Sequence, residues 1–198
     1  MAIEKANILS FVNEQLKRSE TDIDTQIKTV INDLRFLNIL EAQDTSLSLD
    51  DGDTYFEEPT GFKLPISIVL NDGSNDLEPL RPMPGGYKGY KQAMEEFTSG
   101  DESRPKYYAR FNGKIYVYPT ADQSYTITLD FYKKHVLDPD SIEFDDDLTN
   151  CLNFGATYYT AAKRGLTRYI NIWQPLYQNQ VQTIILANPG QPRFAGGT

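Results

Sequence analysis

The sequence contains few of the residues on which catalytic and metal sites usually depend. Its 198 residues include one cysteine, Cys151, and one histidine, His135. A single cysteine excludes an internal disulfide and a zinc site built from several thiolates. The only side chain that titrates near neutral pH is His135, and nothing nearby completes a catalytic triad with it. We therefore predict a structural assembly subunit rather than an enzyme, with no catalytic residue and no cofactor.

The sequence neighbours of these two residues indicate ordinary structural positions. His135 directly follows Lys133 and Lys134 at the end of a predicted strand, so we expect an exposed residue there. Cys151 precedes Leu152 on a helix that should be largely packed. We expect Cys151 to be a small core residue, because a buried thiol without a nearby cation is inert.

Positive charge and long apolar runs are also scarce. The formal net charge is −9, with a pI near 4.6. Nucleic-acid affinity comes mainly from clustered Lys and Arg, so this balance opposes sequence-specific binding to DNA. No stretch approaches the ~20 apolar residues of a membrane span, and the first residues lack the apolar run of a signal peptide. We expect a soluble protein made in a reducing cytoplasm, without a membrane partner.

Acidic and glycine-rich stretches are frequent but match no ligand motif. The acidic clusters at 50–53, 72–78 and 143–147 lack the spacing of a calcium loop, and we attribute them to turns and helix starts rather than to a metal site. Residues 85–89 lack the spacing of a phosphate loop, so a flexible loop is expected. The enzyme alternative is a small metal-dependent hydrolase that uses the acidic clusters, among them residues 145–147.

Helical periodicity marks both ends of the chain. Apolar residues recur every three or four positions over three segments, which predicts amphipathic helices at 3–17, 22–41 and 148–162. A further stripe after Thr167 predicts a fourth helix, with Pro175 either kinking it or setting its start. Gly155 and the nearby alanines allow close contact between helices.

Alternating polar and apolar residues predict strands in the middle of the chain. Asn112-Gly113 separates residues 107–111 from 114–118, and this dipeptide is typical of a type I′ hairpin turn. Residues 125–132 alternate as well, so we predict a three-stranded antiparallel meander. A second hairpin is predicted at 45–56.

The remaining central segments are predicted from the proline and glycine residues within or beside them. Residues 62–70 are an extended candidate that Pro65 confines to an edge or a loop. Residues 87–97 predict a short helix after a Pro- and Gly-rich loop.

The order of these elements predicts an α+β protein. We expect a helical bundle from residues 1–44 and 144–187, and an antiparallel β domain with long loops over 45–143. Residues 188–198 are rich in Pro and Gly and cannot build a core, so an extended C-terminal tail is expected. The 13 Tyr and 10 Phe indicate either protein interfaces or a Tyr-rich sheet packed on helices.

This helix, sheet and helix order resembles the head-to-tail adaptor proteins of tailed bacteriophages. The resemblance covers nearly the whole chain and is carried by residues 24–32, 64–65, 105–107, 115–119, 125–134, 144–162 and 173–177. The chain departs from a minimal adaptor in extra Asp- and Gly-rich material around 42–61 and 71–104.

The resemblance implies a structural protein of the virion neck. Adaptors of this kind form a ring, typically of twelve copies, which docks beneath the portal protein and offers a platform to a tail or nozzle protein. The ring lines the channel through which DNA is ejected, without sequence-specific binding, and fibre proteins are further candidate partners. The alternative is another neck or tail component, such as a tail-completion, tail-tube or fibre-attachment protein.

The resemblance also implies contact residues. A C-terminal segment that reaches onto the portal would consist of Asn188, Pro189, Gln191, Pro192, Arg193 and Phe194. Loops that face the tail or neck proteins would contribute Asp72, Gly73, Asn75, Tyr87 and Tyr90.

Overall fold

The computed structural model describes residues 3–74, 78–97 and 102–187. In chain order the elements are α1 (Lys5–Leu16), α2 (Asp24–Leu34), β1 (Glu41–Leu49), β2 (Tyr55–Glu57), β3 (Phe62–Asn71), β4 (Arg81–Pro82), α3 (Gly86–Glu95), β5 (Tyr107–Phe111), β6 (Lys114–Tyr118), β7 (Tyr125–Lys133), a short 3₁₀ helix (Asp146–Leu148), α4 (Thr149–Lys163) and α5 (Thr167–Ala187). The predicted α+β class is confirmed. None of these helices is long and apolar enough to cross a membrane.

The chain divides into two compact units. The helical unit combines residues 1–40 with residues 134–198, and the sheet unit comprises residues 41–133. The sheet unit is therefore inserted, in sequence, between the two halves of the helical unit.

Helix α4 is the centre of the helical unit. It packs against α1, α2 and α5, and its buried face consists largely of small residues. A Cβ atom added to Gly155 would lie 2.6 Å from Val30 Cγ2 of α2 and 2.8 Å from Tyr177 Cε2 of α5. The predicted close contact at Gly155 is confirmed, because only a residue without a side chain fits between these two neighbours.

A shared carboxylate joins the same three helices. The hydroxyls of Tyr159 on α4 and Tyr177 on α5 both donate to Asp33 Oδ2 on α2, at 2.6 and 2.9 Å. Burial together with the Asp33 carboxylate raises the pKa of both phenols, so they remain protonated donors. The two hydrogen bonds tie residues that lie 126 and 144 positions apart in the chain.

The sheet unit contains two sheets. One is antiparallel with strand order β1-β7-β3, and the other has the order β2-β6-β5-β4, with β4 parallel to β5. Alternate residues of the strands bury their side chains in a common core that includes Leu49, Ile68, Ile115, Ile127 and Leu129. The expected position of β3, with its Pro65, at a sheet edge is confirmed.

The β5–β6 hairpin forms as predicted. Phe111 pairs with Lys114, and the two residues between them, Asn112 and Gly113, have φ angles of 52° and 75°. Two consecutive positive φ angles define the type I′ turn, whose twist matches that of the flanking strands.

The predicted meander and the hairpin at 45–56 are wrong. Strand β7 pairs with β1 and β3 rather than with β6, and β2 pairs with β6 rather than with β1. After β6, Pro119 has no amide hydrogen to donate, while the Ala121 amide donates to the Asp53 carbonyl. This bond and the neighbouring turn lead the chain out of one sheet and into the other.

Helix α2 is shorter than predicted. It ends at Leu34 rather than near residue 41, where β1 begins. Leu37 is nevertheless buried, because a tight turn in which the Leu37 amide donates to the Leu34 carbonyl returns its side chain to the core. The apolar stripe thus continues beyond the helix that it predicted.

Two other helix boundaries were uncertain in the sequence. Helix α5 continues through Pro175 from Thr167 to Ala187, so Pro175 does not set its start. The glycine stretch expected to be a flexible loop instead contributes the first turn of α3, which begins at Gly86. A Cβ atom added to Gly89 would lie 1.9 Å from the Pro84 carbonyl oxygen, so glycine is required for this turn to close.

Replacing Gly155 by alanine tests the close helix contact. In an open helix this change stabilises the fold by about 0.5–1 kcal/mol, because alanine is the better helix former. We expect the opposite sign here, a loss of about 1–3 kcal/mol in the free energy of unfolding, because the new methyl group overlaps Val30 and Tyr177. Chemical denaturation measures the difference.

The matched control is Ala162→Ser, which adds one heavy atom at an exposed position of the same helix. It should change the free energy of unfolding by no more than about 0.5 kcal/mol. A Gly155→Ala variant as stable as the unmodified protein would show that the helices do not meet as described.

Candidate functional site

His135 is a buried structural residue, and the prediction of an exposed position is wrong. Its side chain is 2% exposed, and its ring lies 4.3 Å from the ring of Phe144 between centroids. The Glu143 amide donates to His135 Nε2 at 2.7 Å. The segment that follows His135 folds back, so that Glu143 and Phe144 contact the imidazole. The exposed position was predicted from Lys133 and Lys134, which precede His135 and give no information about this turn.

Cys151 is a core residue, as predicted. It is 1% exposed, and burial, with a smaller contribution from the negative charge of Asp33, raises the pKa of its thiol to about 12. The thiol therefore stays protonated at physiological pH and is a poor nucleophile.

Two of the acidic clusters form turns where the structure describes them, and the third leads into the 3₁₀ helix at Asp146–Leu148. Asp53 Oδ2 accepts the Asp50 amide at 2.8 Å, and Asp72 Oδ1 accepts the Ser74 amide at 2.9 Å. Across residues 3–74, 78–97 and 102–187, no three His, Cys, Asp or Glu side chains are grouped so that they could hold a metal ion. These carboxylates fix the backbone of tight turns.

Five aromatic side chains form a contiguous surface on the sheet unit. This aromatic cluster consists of Tyr55, Tyr87, Tyr90, Phe111 and Tyr116. The rings of Tyr87 and Phe111 stack with centroids 4.3 Å apart and planes 2° from parallel. Tyr116 lies 4.8 to 5.7 Å from Tyr87, Tyr90 and Tyr55 between centroids, so it joins the cluster at its centre.

A helical spacing, a strand pairing and a strand end assemble the cluster. Tyr87 and Tyr90 are three positions apart on α3, a spacing that places both on one helix face. Tyr55 of β2 pairs directly with Tyr116 of β6, so their side chains are on the same face of the sheet. Phe111 ends β5 immediately before the hairpin turn.

The cluster is partly accessible and carries positive charge, whereas Tyr90, one of the predicted contact residues, is buried at 7% exposure. Phe111 is 52% exposed and Tyr55 is 39% exposed. Lys114 Nζ lies 3.6 Å from the centroid of the Tyr55 ring, and Lys91 Nζ lies 5.6 Å from that of Tyr87. Tyr and Phe are enriched in protein interfaces, so the rings of this surface are typical of a contact site.

The predicted contact residues separate into three groups. Tyr87 and Tyr90 lie together in the aromatic cluster, whereas Asp72 and Gly73 lie in the turn after β3 of the other sheet. Asn75 and the predicted portal-docking residues, 188–194, lie outside the described residues. Sequence reasoning missed Tyr55, Phe111 and Tyr116, although the exposed phase of the strand alternation at Tyr55 and Tyr116 would have marked two of them.

Comparison with known families gives a match over almost the entire chain. A family model described as SU10 adaptor protein matches residues 5–193. The matched range begins at the first residue of α1 and extends past the end of α5. Comparison with curated proteins finds no match.

The buried state of Cys151 predicts a thiol that does not react in the folded protein. At mildly alkaline pH an aromatic disulfide reagent should leave native protein unmodified, because the thiol is both inaccessible and protonated. In guanidinium chloride the same reagent should modify one thiol per chain. Rapid reaction of the native protein would contradict the burial of Cys151, and absorbance of the released thiolate measures both rates.

Proposed function

Because the chain belongs to the SU10 adaptor protein family, a family of phage head-to-tail adaptors, we propose that it forms a ring that joins the portal protein to the tail. The chain is a structural phage adaptor and hence a virion component. The family match over residues 5–193 is the observation on which the proposal rests. We propose twelve copies for the ring.

The charge distribution supports a channel through which DNA passes without binding. The sheet unit contains 16 Asp and Glu against 9 Lys and Arg, a net charge of −7 out of the total of −9. An acidic lumen repels the phosphate backbone, so DNA slides past without sequence-specific contacts.

The two compact units provide separate surfaces for different neighbours. We propose that they act as the domains of the adaptor, with the helical unit and the C-terminal residues 188–198 contacting the portal protein. The sheet unit would contact the tail or nozzle protein, and fibre proteins remain further candidates for its long loops. An adaptor needs two such surfaces, because it binds a different protein on each side.

The aromatic cluster is the best-supported tail-facing surface. Its rings are stacked against one another before any partner binds, so little side-chain entropy is lost on association. Tyrosine is enriched among the residues that dominate interface energies. The alternative, another tail or neck component, uses the same surface and differs in lying away from the portal vertex of the virion.

Deleting residues 188–198 tests the portal contact. We expect the truncated chain to remain folded, because both hydrophobic cores lie within residues 3–184, and to lose binding to the portal protein. Native mass spectrometry of purified portal with the full chain should show added mass for a ring of about twelve copies, and no added mass with the truncated chain. Unimpaired portal binding by the truncated chain would refute the assignment of this segment.

Replacing Tyr87 and Phe111 together by serine tests the tail-facing surface. We expect binding of the tail or nozzle protein to weaken by about 2 kcal/mol or more, since stacked aromatic anchors of this kind often dominate an interface. The control is Phe36→Ser in the helical unit, where the aromatic ring is similarly exposed, at 55% against 52% for Phe111. Calorimetry with the tail protein measures both, and equal losses would reject the aromatic cluster as the contact.

A further inference from the structure

A second surface of the sheet unit is a pocket in which positive charges converge. It is a cavity of about 280 Å³ lined by Glu78, Pro79, Arg81, Arg104, Pro105, Lys106 and Tyr107. Three of these residues are basic and one is acidic. We refer to it as the basic pocket.

Backbone pairing between segments distant in sequence builds the basic pocket. Strand β4 runs parallel to β5, with Arg81 opposite Tyr107, and the Arg81 amide donates to the Lys106 carbonyl at 2.9 Å. On the other side of this segment, the Lys106 amide donates to the Tyr118 carbonyl at 2.9 Å. The walls also contain two prolines, whose fixed φ angles limit backbone freedom. The pocket is thus held in shape without a ligand.

The charge of the basic pocket contrasts with the unit around it. The sheet unit as a whole has a net charge of −7, yet a third of its nine basic residues line this one cavity. Two other basic residues of the unit already have acidic partners, since Arg110 pairs with Glu58 and Lys114 with Glu57. Within the described residues, Arg81, Arg104 and Lys106 form no such ion pair, so their charges are available to a ligand.

The lining residues identify the chemistry of the ligand. A planar guanidinium presents two parallel N–H donors that match the two oxygens of a carboxylate, and the cavity holds two of these groups and an ammonium. Its volume lies just below the about 300–1,000 Å³ of pockets that enclose drug-sized ligands. The space therefore suits one or two acidic side chains rather than a larger molecule.

We propose that the basic pocket binds carboxylate groups of an acidic protein segment supplied by an assembly partner. Nucleic acid is the less favoured ligand, because a duplex carries charge continuously along its axis and would be repelled by the net negative charge of the sheet unit. A side chain on a peptide enters the cavity alone and avoids that repulsion. A single copy of the chain can bind such a segment without forming a ring. The proposal can therefore be tested independently of the portal and tail contacts proposed above.

Titration of the full chain with a short polyglutamate peptide at low ionic strength tests this proposal. The unmodified protein should bind the peptide, and Arg81→Gln combined with Arg104→Gln should weaken the affinity about tenfold or more, because two charge-assisted contacts are lost. The control is Lys88→Gln combined with Lys134→Gln, which removes the same charge from two exposed positions outside the basic pocket. It should retain affinity within about threefold, the effect of long-range charge alone.

Several results would overturn the proposal. An equal loss of affinity in the two double variants would mean that only the net charge of the protein matters. If the unmodified protein did not bind the peptide, the pocket would not be a carboxylate site. Tighter binding of inorganic phosphate or of a short DNA duplex would assign the pocket to phosphate. Unchanged thermal unfolding of the variants is the check that the fold persists.

Discussion

The close approach of three helices at Gly155 is the constraint on which the helical unit depends. Residues 1–40 and 134–198 are far apart in the chain, and α4 is the helix against which α1, α2 and α5 all pack. The missing side chain at Gly155 brings Val30 and Tyr177 within reach of the α4 backbone. The same proximity places Asp33 where two tyrosine hydroxyls can share its carboxylate. Apolar packing and the hydrogen bonds to Asp33 therefore depend on a single small residue.

Local patterns in the sequence predicted the elements well, and pairing between elements poorly. The Asn112-Gly113 dipeptide identified the β5–β6 hairpin because a two-residue turn determines its own partner strands. Alternation in residues 125–133 identified a strand but not its neighbours, since period two says only which side chains share a face. The short segment between Pro119 and the start of β7 leads β7 away from β6, and this segment has no periodic pattern from which its path could be predicted. The end of α2 and the burial of His135 were predicted wrongly for a related reason, because irregular turns bury Leu37 and His135.

In the functional surfaces, too, local spacing could be predicted and the pairing of distant segments could not. Tyr87 and Tyr90 are three residues apart and were predicted as contacts, but the other rings of the aromatic cluster come from β2, β5 and β6. Their meeting depends on strand order, which one sequence does not reveal. The basic pocket depends on the parallel pairing of β4 with β5, and this brings Arg81 beside Lys106 across 25 positions of sequence.

The insertion of the sheet unit has a consequence for how the chain responds to cleavage. Both ends of residues 41–133 connect to the helical unit, and α1 and α2 are held on α4 by burial rather than by continuity of the backbone. A single cut in any sheet-unit loop would yield two fragments, each with part of the helical core. Those fragments would remain associated, because the interface that joins them is the core itself. The helical unit thus holds the two fragments of a cleaved chain together without a covalent bond between them.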